Sequence, residues 1–314
     1  MNNNQVIAIF GASGFIGKNL LRELCKLGYR IKVATRNPFQ SGYHLKPLGN
    51  PGQIELFKTN IFNPEDVKKI LRNCDLVINL CGILFENSKQ KFNQIHVQFP
   101  NILSNLCKEN ENIKNLVHIS ALGVKENHKS FYMSSKLQGE KILIENFKST
   151  VILRPSIIFG PSDNFFNKFA SVASYSPVLP LIGGGKTKFA PIYVGDVAGA
   201  IVQSLKLKNS KPQIYELGGP EEYSFKELIE ILLIEIKKKR LLVSIPFYFA
   251  KFQSYFLQMM PNPLLTPDQV EILKYNNIVT GELPLLKDLG ITGTSIKSIL
   301  PKYIYRFRSG GQFS

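Results

Sequence analysis

Acidic residues are scarce in this chain. Against 39 Lys and Arg stand only 23 Asp and Glu, a formal net charge of +16 over 314 residues. Such an excess suits nucleic acid, an anionic membrane surface or an acidic partner. No aromatic-basic platform or recognition motif accompanies it, which argues against nucleic acid. Most of the cations are scattered singly in a chain rich in Lys and Asn, the pattern of a compositional bias; the exception is KKKR at 237–240, just ahead of an apolar stretch. Cysteine is also sparse. Cys25, Cys74, Cys81 and Cys107 form no CxxC pair and no regular framework, and His44, His96, His118 and His128 show no metal-ligand spacing with them, so no metal site is expected. His118 falls in a buried-looking strand and reads as a core histidine. No run of 18 uncharged apolar residues exists, so no spanning helix is expected. MNNNQ at the N-terminus lacks the features of a signal peptide. The expected location is a reducing cytoplasm, with the basic run suiting a peripheral place at the inner face of the membrane.

What is present is a rhythm. VIAIF at 6–10, IKVA at 31–34, IELF at 54–57, LVINL at 76–80, LVHI at 116–119 and TVILR at 150–154 are short apolar runs separated by helical stretches. That alternation predicts an α/β fold, a Rossmann-type doubly wound parallel sheet with crossover helices. Ile16, Leu20, Leu21, Leu24 and Leu27 repeat at helical spacing and Gly28 supplies the stop. Beyond residue 155 the rhythm gives way to Pro- and Gly-rich connections, a return strand near IYELGG and helices from 224 onward. We read 1–155 as a nucleotide-binding domain and 156–314 as a smaller, interleaved substrate- or partner-side region that contributes further strands and helices.

GASGFIG, residues 11–17, sits between the first strand and the first helix. Gly11, Gly14 and Gly17 there permit a tight turn, a close approach of backbone amides to a pyrophosphate, and helix-to-strand packing, with Ser13, Phe15 and Ile16 between them. The helix N-terminus adds its partial positive charge. The second strand ends in VATRNP, where Arg36 stands in place of an acidic ribose ligand, a pattern that accommodates a 2′-phosphate and predicts NADP(H). The alternative is one more surface cation in a basic protein.

Tyr132 and Lys136, in YMSSK, lie four apart and so on one face of a helix. A phenol titrates near 10 unless a cation favours its phenolate, and Lys136 is placed to do so while also reaching the nicotinamide ribose. Asp196, just before an apolar-periodic helix, reads as an N-cap rather than an acid catalyst.

GASGFIG, LCG at 80–82, HISALG and YMSSK together resemble the extended or atypical short-chain dehydrogenase/reductase superfamily. RPSIIFGPSDNFFNKFA from Arg154, PIYVGDVA from Pro191, YELGGPEEYSFKEL from Tyr215 and PLLTPDQVEIL from Pro263 are similar to bacterial relatives of the nucleotide-binding accessory subunit of mitochondrial respiratory complex I. The resemblance covers nearly the whole chain. It implies the glycine loop at the pyrophosphate, Arg36 at the 2′-phosphate, Asn60 and Ile61 near the adenine, and Leu80, Cys81 and Gly82 along the cofactor. It also implies Tyr132, Lys136 and the stretch Pro155, Ser156, Ile157, Ile158 around the nicotinamide. Asn60 stands where the superfamily usually has Asp, and an amide replaces it as an acceptor but not as an anion. Ala121 and Leu122 stand where a catalytic hydroxyl is usual. Ser120 is then the only hydroxyl at the strand end, either contacting the nicotinamide or donating to a substrate oxygen.

Two functions follow from the resemblance. The leading expectation is an NADP(H)-dependent oxidoreductase with a lipophilic or quinone-related substrate near the respiratory membrane, with Tyr132 as acid or base, Lys136 lowering its pKa and Ser120 as donor. The alternative is a non-catalytic NADPH-binding accessory or assembly factor of respiratory complex I. LLVSIPFYFAKFQSYFLQMMP, from Leu241, bears on both: its aromatics cluster at spacings of three and four, either as a helix packed on the Rossmann domain or as a face for a membrane or lipophilic substrate.

Overall fold

The computed structural model describes residues 5–207, 210–261 and 263–309. Residues 1–4 of the stretch read for a leader, and 310–314 of the second region, lie outside it. Six strands follow the apolar runs: β1 Val6–Phe10, β2 Arg30–Thr35, β3 Ile54–Lys58, β4 Leu76–Asn79, β5 Asn115–Ile119 and β6 Thr150–Pro155. A seventh, Gln213–Leu217, returns from the second region to pair with β6. All pair in parallel, in the order Gln213–Leu217, β6, β5, β4, β1, β2, β3. Strand order reverses between β1 and β4, so a crevice opens beyond their carboxyl ends, the place where such sheets bind ligands.

Both faces of the sheet are covered, which is why β4 and β5 are buried at every position. On one face α1 (Phe15–Lys26) brings Leu20, Leu21 and Leu24 against Ile7, Ile9 and Val33, together with Val197 and Ile201 of the later helix Val194–Leu205. On the other, α3 (Pro64–Leu71), α4 (Phe99–Glu109) and α5 (Phe131–Asn146) bury Val67, Phe99, Leu103 and Leu143 against Ala8, Phe10, Val77 and Leu116. Between them α2 (Pro38–Leu45) starts on the Asn37 side chain, which accepts from the Gln40 amide. Gly28, at φ +81°, ends the α1 turn as its position suggested.

A second core gathers Phe166, Leu179, Leu181, Phe225, Leu228 and Leu232 around Phe159. Here the sequence misled. Val178–Ile182, within the Pro-rich connection, is a strand that pairs in parallel with Leu241–Ile245, despite Pro180 at its centre. A two-stranded ribbon has an open edge on each strand, and an edge tolerates proline. Asp196 is not an N-cap either: Tyr193 holds that position, and Asp196 lies in the first turn, accepting from the Thr294 amide and hydroxyl.

Candidate functional site

The three glycines of the loop do different things. Gly11 adopts φ +84°, and a Cβ there would stand 2.9 Å from the carbonyl carbon of Leu80, so β1 and β4 meet only because it has none. Gly17 is tighter, with a Cβ position 2.3 Å from the Ala12 carbonyl oxygen, which seats α1 on the loop. Gly14 is exposed and forms the N-cap of α1, where no side chain accepts from the first-turn amides. The amides of Phe15 and Ile16 therefore face the crevice at the positive end of the helix, an arrangement made for an anion. Ser13 is exposed beside them.

Arg36 is exposed at the end of β2 and makes no hydrogen bond or ion pair with a described residue. Its field nonetheless reaches the Cys81 thiol, so it borders the crevice. The Cys81 thiol is pushed up to about 12 by burial against the opposing pull of Lys136 and Arg36. The Cys81 amide bonds Asn79 Oδ1 at 3.0 Å, which turns the chain past Leu80. Asn60 Oδ1 accepts from the Phe62 amide at 3.1 Å, so this carboxamide shapes its own turn and supports Ile61 beside it.

Lys136 is buried, and its ammonium donates to the Ile119 carbonyl at 3.0 Å. Burial lowers its pKa to about 8, opposed by Glu140 one turn on, which is itself clasped by Arg154 at 2.9 and 2.5 Å. Gly82 gives it room: a Cβ there would lie 3.3 Å from Nζ. At the end of β5 the Ser120 hydroxyl is buried with no hydrogen-bond partner. A buried donor with no partner is costly and calls for a ligand or water. Uncapped first-turn amides, a free guanidinium, an ammonium with donors to spare and this hydroxyl fit a nicotinamide dinucleotide along the crevice.

Tyr132 departs from the expectation. Its ring lies in an apolar cluster with Phe92, Val124 and Met133, only 8% exposed, and contacts Phe92 and His96 at centroid distances of 5.8 and 5.5 Å. Burial, then the Asp268 charge, pushes its pKa above the ordinary phenol value, and Lys136 is not among the groups that move it. The ring beside it belongs to a neutral imidazole: burial, Lys136 and His118 hold His96 down to about 2. His96 Nε2 accepts from the Ile83 amide at 3.2 Å, so Nδ1 carries the proton toward Ser135 Oγ at 2.9 Å, and Ser135 donates to the Tyr132 carbonyl at 2.8 Å. His96 sits in a π-helical turn, Asn93–Gln98, whose carbonyl fits against α5 because residue 139 is glycine.

Sequence reasoning missed three residues. Asp268, on the short helix Pro267–Ile272, accepts from Ser130 Oγ (2.8 Å) and from the Phe131 and Tyr132 amides (2.7 and 3.2 Å), while Ser130 caps Met133. Asn277 takes Ser156: its side-chain oxygen accepts from Ser156 Oγ at 2.7 Å and its amide donates to the Leu122 carbonyl at 2.8 Å. Ser156 is thereby a brace between Pro155, at the end of β6, and the second region, with Ile157 half-buried on the second core and Ile158 pairing with Ile192. The third is His96. TPDQ carried a capping-box signal for the helix of Asp268, realised by Thr266 and Gln269, but nothing in a sequence points from there to residue 131.

Residues 7–218 match the model of the NAD dependent epimerase/dehydratase family. The chain belongs to that family. It is 31% identical over 316 residues to NADH dehydrogenase [ubiquinone] 1 alpha subcomplex subunit 9, mitochondrial, of Arabidopsis thaliana, covering 98% of this chain and 79% of the relative. A more partial likeness, 26% over 197 residues (63% of this chain, 60% of the relative), is to the ceramide reductase of Caulobacter vibrioides. Among solved structures the fold superposes on DesIV, a dTDP-glucose 4,6-dehydratase from Streptomyces venezuelae with NAD and TYD bound, at a TM-score of 0.73 and 17% identity, covering 96% of both chains. The epimerase/dehydratase chain thus has the extended-reductase fold, and among the relatives it matches over nearly its whole length are subunits of complex I. Among the described residues no helix is long and apolar enough to cross a membrane, and no cluster of His, Cys, Asp and Glu could hold a metal.

Proposed function

We propose that this protein is an NADP(H)-holding accessory or assembly factor of respiratory complex I, in which the nucleotide is structural. The observation that carries this reading is the setting of Tyr132: a phenol sealed among Phe92, Val124 and Met133, with its pKa raised rather than lowered, is a poor proton donor or acceptor at neutral pH. The likeness to complex I subunits over nearly the whole chain supports the same reading. Arg36, without an acidic neighbour at the end of β2, supports NADP(H) over NAD(H).

A peripheral membrane contact belongs to this proposal. The helix Phe247–Leu257 buries only Ala250 and Ser254. Tyr248, Phe252 and Phe256 are 78%, 63% and 62% exposed, so the face does not pack on the Rossmann domain. Of the basic run, Lys238 and Arg240 are tied to Ser174 and Ala173, which leaves Lys237 and Lys239 exposed to the solvent.

The oxidoreductase reading keeps one observation in its favour, the unpartnered Ser120 hydroxyl at the strand end near Lys136. The two are separated by removing the gene and complementing it, with native gels of the respiratory complexes as readout. The accessory reading expects loss of assembled complex I. Full assembly, with substrate-dependent oxidation of NADPH by the purified protein, would replace it with the enzyme.

A further inference from the structure

One wall of the crevice is a turn, Leu80–Ile83, that leaves β4. Its near end packs on the glycine loop, since the Leu80 carbonyl carbon stands 2.9 Å from where a Gly11 Cβ would be. Farther along, Gly82 passes over two groups of the helical layer: a Cβ there would lie 3.3 Å from Lys136 Nζ and 3.8 Å from His96 Nε2. The turn is fixed through its amides. Leu80 donates to the Phe10 carbonyl at 2.9 Å and Cys81 to Asn79 Oδ1 at 3.0 Å, both partners lying in the sheet, whereas Ile83 donates to His96 Nε2 at 3.2 Å. The far end of the turn is thus tied to the helical layer by an imidazole nitrogen.

That nitrogen accepts only while the ring proton sits on Nδ1. Burial keeps His96 neutral, with one donor and one acceptor nitrogen, and Ser135 decides which is which. The Ser135 hydroxyl hydrogen is committed to the Tyr132 carbonyl at 2.8 Å, so toward His96 Nδ1, 2.9 Å away, its oxygen is left to accept. The ring has little room to move. It is 1% exposed and stacked on Phe92, with centroids 5.5 Å apart and planes within 20°. The His96 carbonyl oxygen would lie 2.0 Å from a Cβ on Gly139, so the turn that carries it is seated directly on α5. The π-helical turn Asn93–Gln98 brings the ring to this place, and such turns frequently mark functional sites.

We propose that His96 is a positioning residue of the nucleotide site: through the Ile83 amide it sets the Cys81–Gly82 wall over Lys136, in the tautomer that Ser135 imposes. This role rests on the nucleotide being held in the crevice, and neither His96 nor Ser135 needs to touch it.

The test combines NADPH titration, nitrogen NMR of the imidazole and amide hydrogen exchange on the full chain. Native His96 should show the Nδ1-protonated tautomer. His96→Leu fills the space but offers no acceptor; it should weaken NADPH binding about tenfold and speed exchange at Ile83 in the nucleotide-free protein. His96→Gln, whose side-chain oxygen replaces Nε2, should recover most of the affinity. Ser135→Ala should release the ring to a mixture of tautomers and weaken binding several-fold, and Ser135→Thr, which keeps the hydroxyl, should restore both. The double variant His96→Leu/Ser135→Ala should bind no more weakly than His96→Leu alone, because Ser135 acts through the imidazole. If His96→Leu does not fold, the native tautomer and the two Ser135 variants decide alone. A native ring protonated on Nε2, native affinity in Ser135→Ala despite a changed tautomer, or Ile83 exchange unaltered in His96→Leu would overturn the assignment. A native protein that binds neither NADPH nor NADH would contradict the holding of a nucleotide and this role with it, whereas loss of the accessory role in cells alone leaves His96 in place.

Discussion

The Asp268 carboxylate accepts the amide of Tyr132 at 3.2 Å, and through the Phe131 amide at 2.7 Å it holds the first turn of α5 from 136 residues away. The helix that carries Tyr132 and Lys136 is thus anchored by the second region of the chain, with a negative charge at the end where the helix dipole favours one. Asp268→Ala removes the acceptor from three donors at once. It should lower the unfolding free energy by about 1–3 kcal/mol, read from urea midpoints, with Asp268→Asn losing less. Unchanged stability in the alanine variant would show the contact to be incidental.

The proposal of NADP(H) rests on Arg36, exposed at the end of β2 without a partner among the described residues. Native protein should prefer NADPH to NADH. Arg36→Asp should reduce that preference by about tenfold or more, since a charge-assisted contact is worth roughly 1.5–3 kcal/mol. Equal native affinities, measured by titration with both nucleotides, would contradict the assignment.

Lys136 supplies a pH signature. Its pKa lies at about 8 in the folded chain against 10.5 in a free lysine. The unfolded chain therefore holds the extra proton between these values, and the nucleotide-free protein should gain stability as pH rises from about 8 to about 10.5. On the proposal that the ammonium holds the nucleotide's ribose, affinity for the nucleotide should be flat below pH 8 and weaken above it. Lys136→Met should abolish both slopes and lower affinity; a native affinity that does not vary from pH 7 to 9.5 would exclude the ribose contact.

The glycine loop divides folding from binding. Gly14→Asp places a carboxylate at the N-cap of α1, where such a residue stabilises a helix but repels a pyrophosphate. The variant should fold with at least native stability and lose NADPH affinity more than tenfold. Gly17→Ala, with its Cβ at 2.3 Å from the Ala12 oxygen, should instead lower stability as well. Thermal melts with and without NADPH distinguish the two.

The sheet was legible because its central strands, β1 and β4 above all, are nearly continuous apolar runs between helical stretches, a pattern that burial on both faces imposes, while β2 and, at the edge, β3 interleave Lys32 and Glu55. Gly11, Gly14, Gly17 and the Tyr132–Lys136 spacing were legible because they are local. The strand at 178–182 was not, since its partner lies some sixty residues on and its own proline argues against it. Neither was the raised pKa of Tyr132, which comes from burial beside Phe92 and from the Asp268 charge, both far off in the sequence. Periodicity located the aromatics of the Phe247–Leu257 helix; their exposure depends on Ala250 and Ser254 being the side buried.

The central claim, that the nucleotide is held rather than used, is tested most directly by complementation with Tyr132→Phe and Gly14→Asp in cells lacking the native gene, scoring assembled complex I. Tyr132→Phe keeps the ring that packs on Phe92 and His96 and loses only a hydroxyl, so assembly should be restored to the native level, whereas Gly14→Asp, folded but without NADPH, should fail. A Tyr132→Phe protein that is present at native level, binds NADPH with native affinity and yet fails to restore respiratory function would contradict the account and assign the site to catalysis.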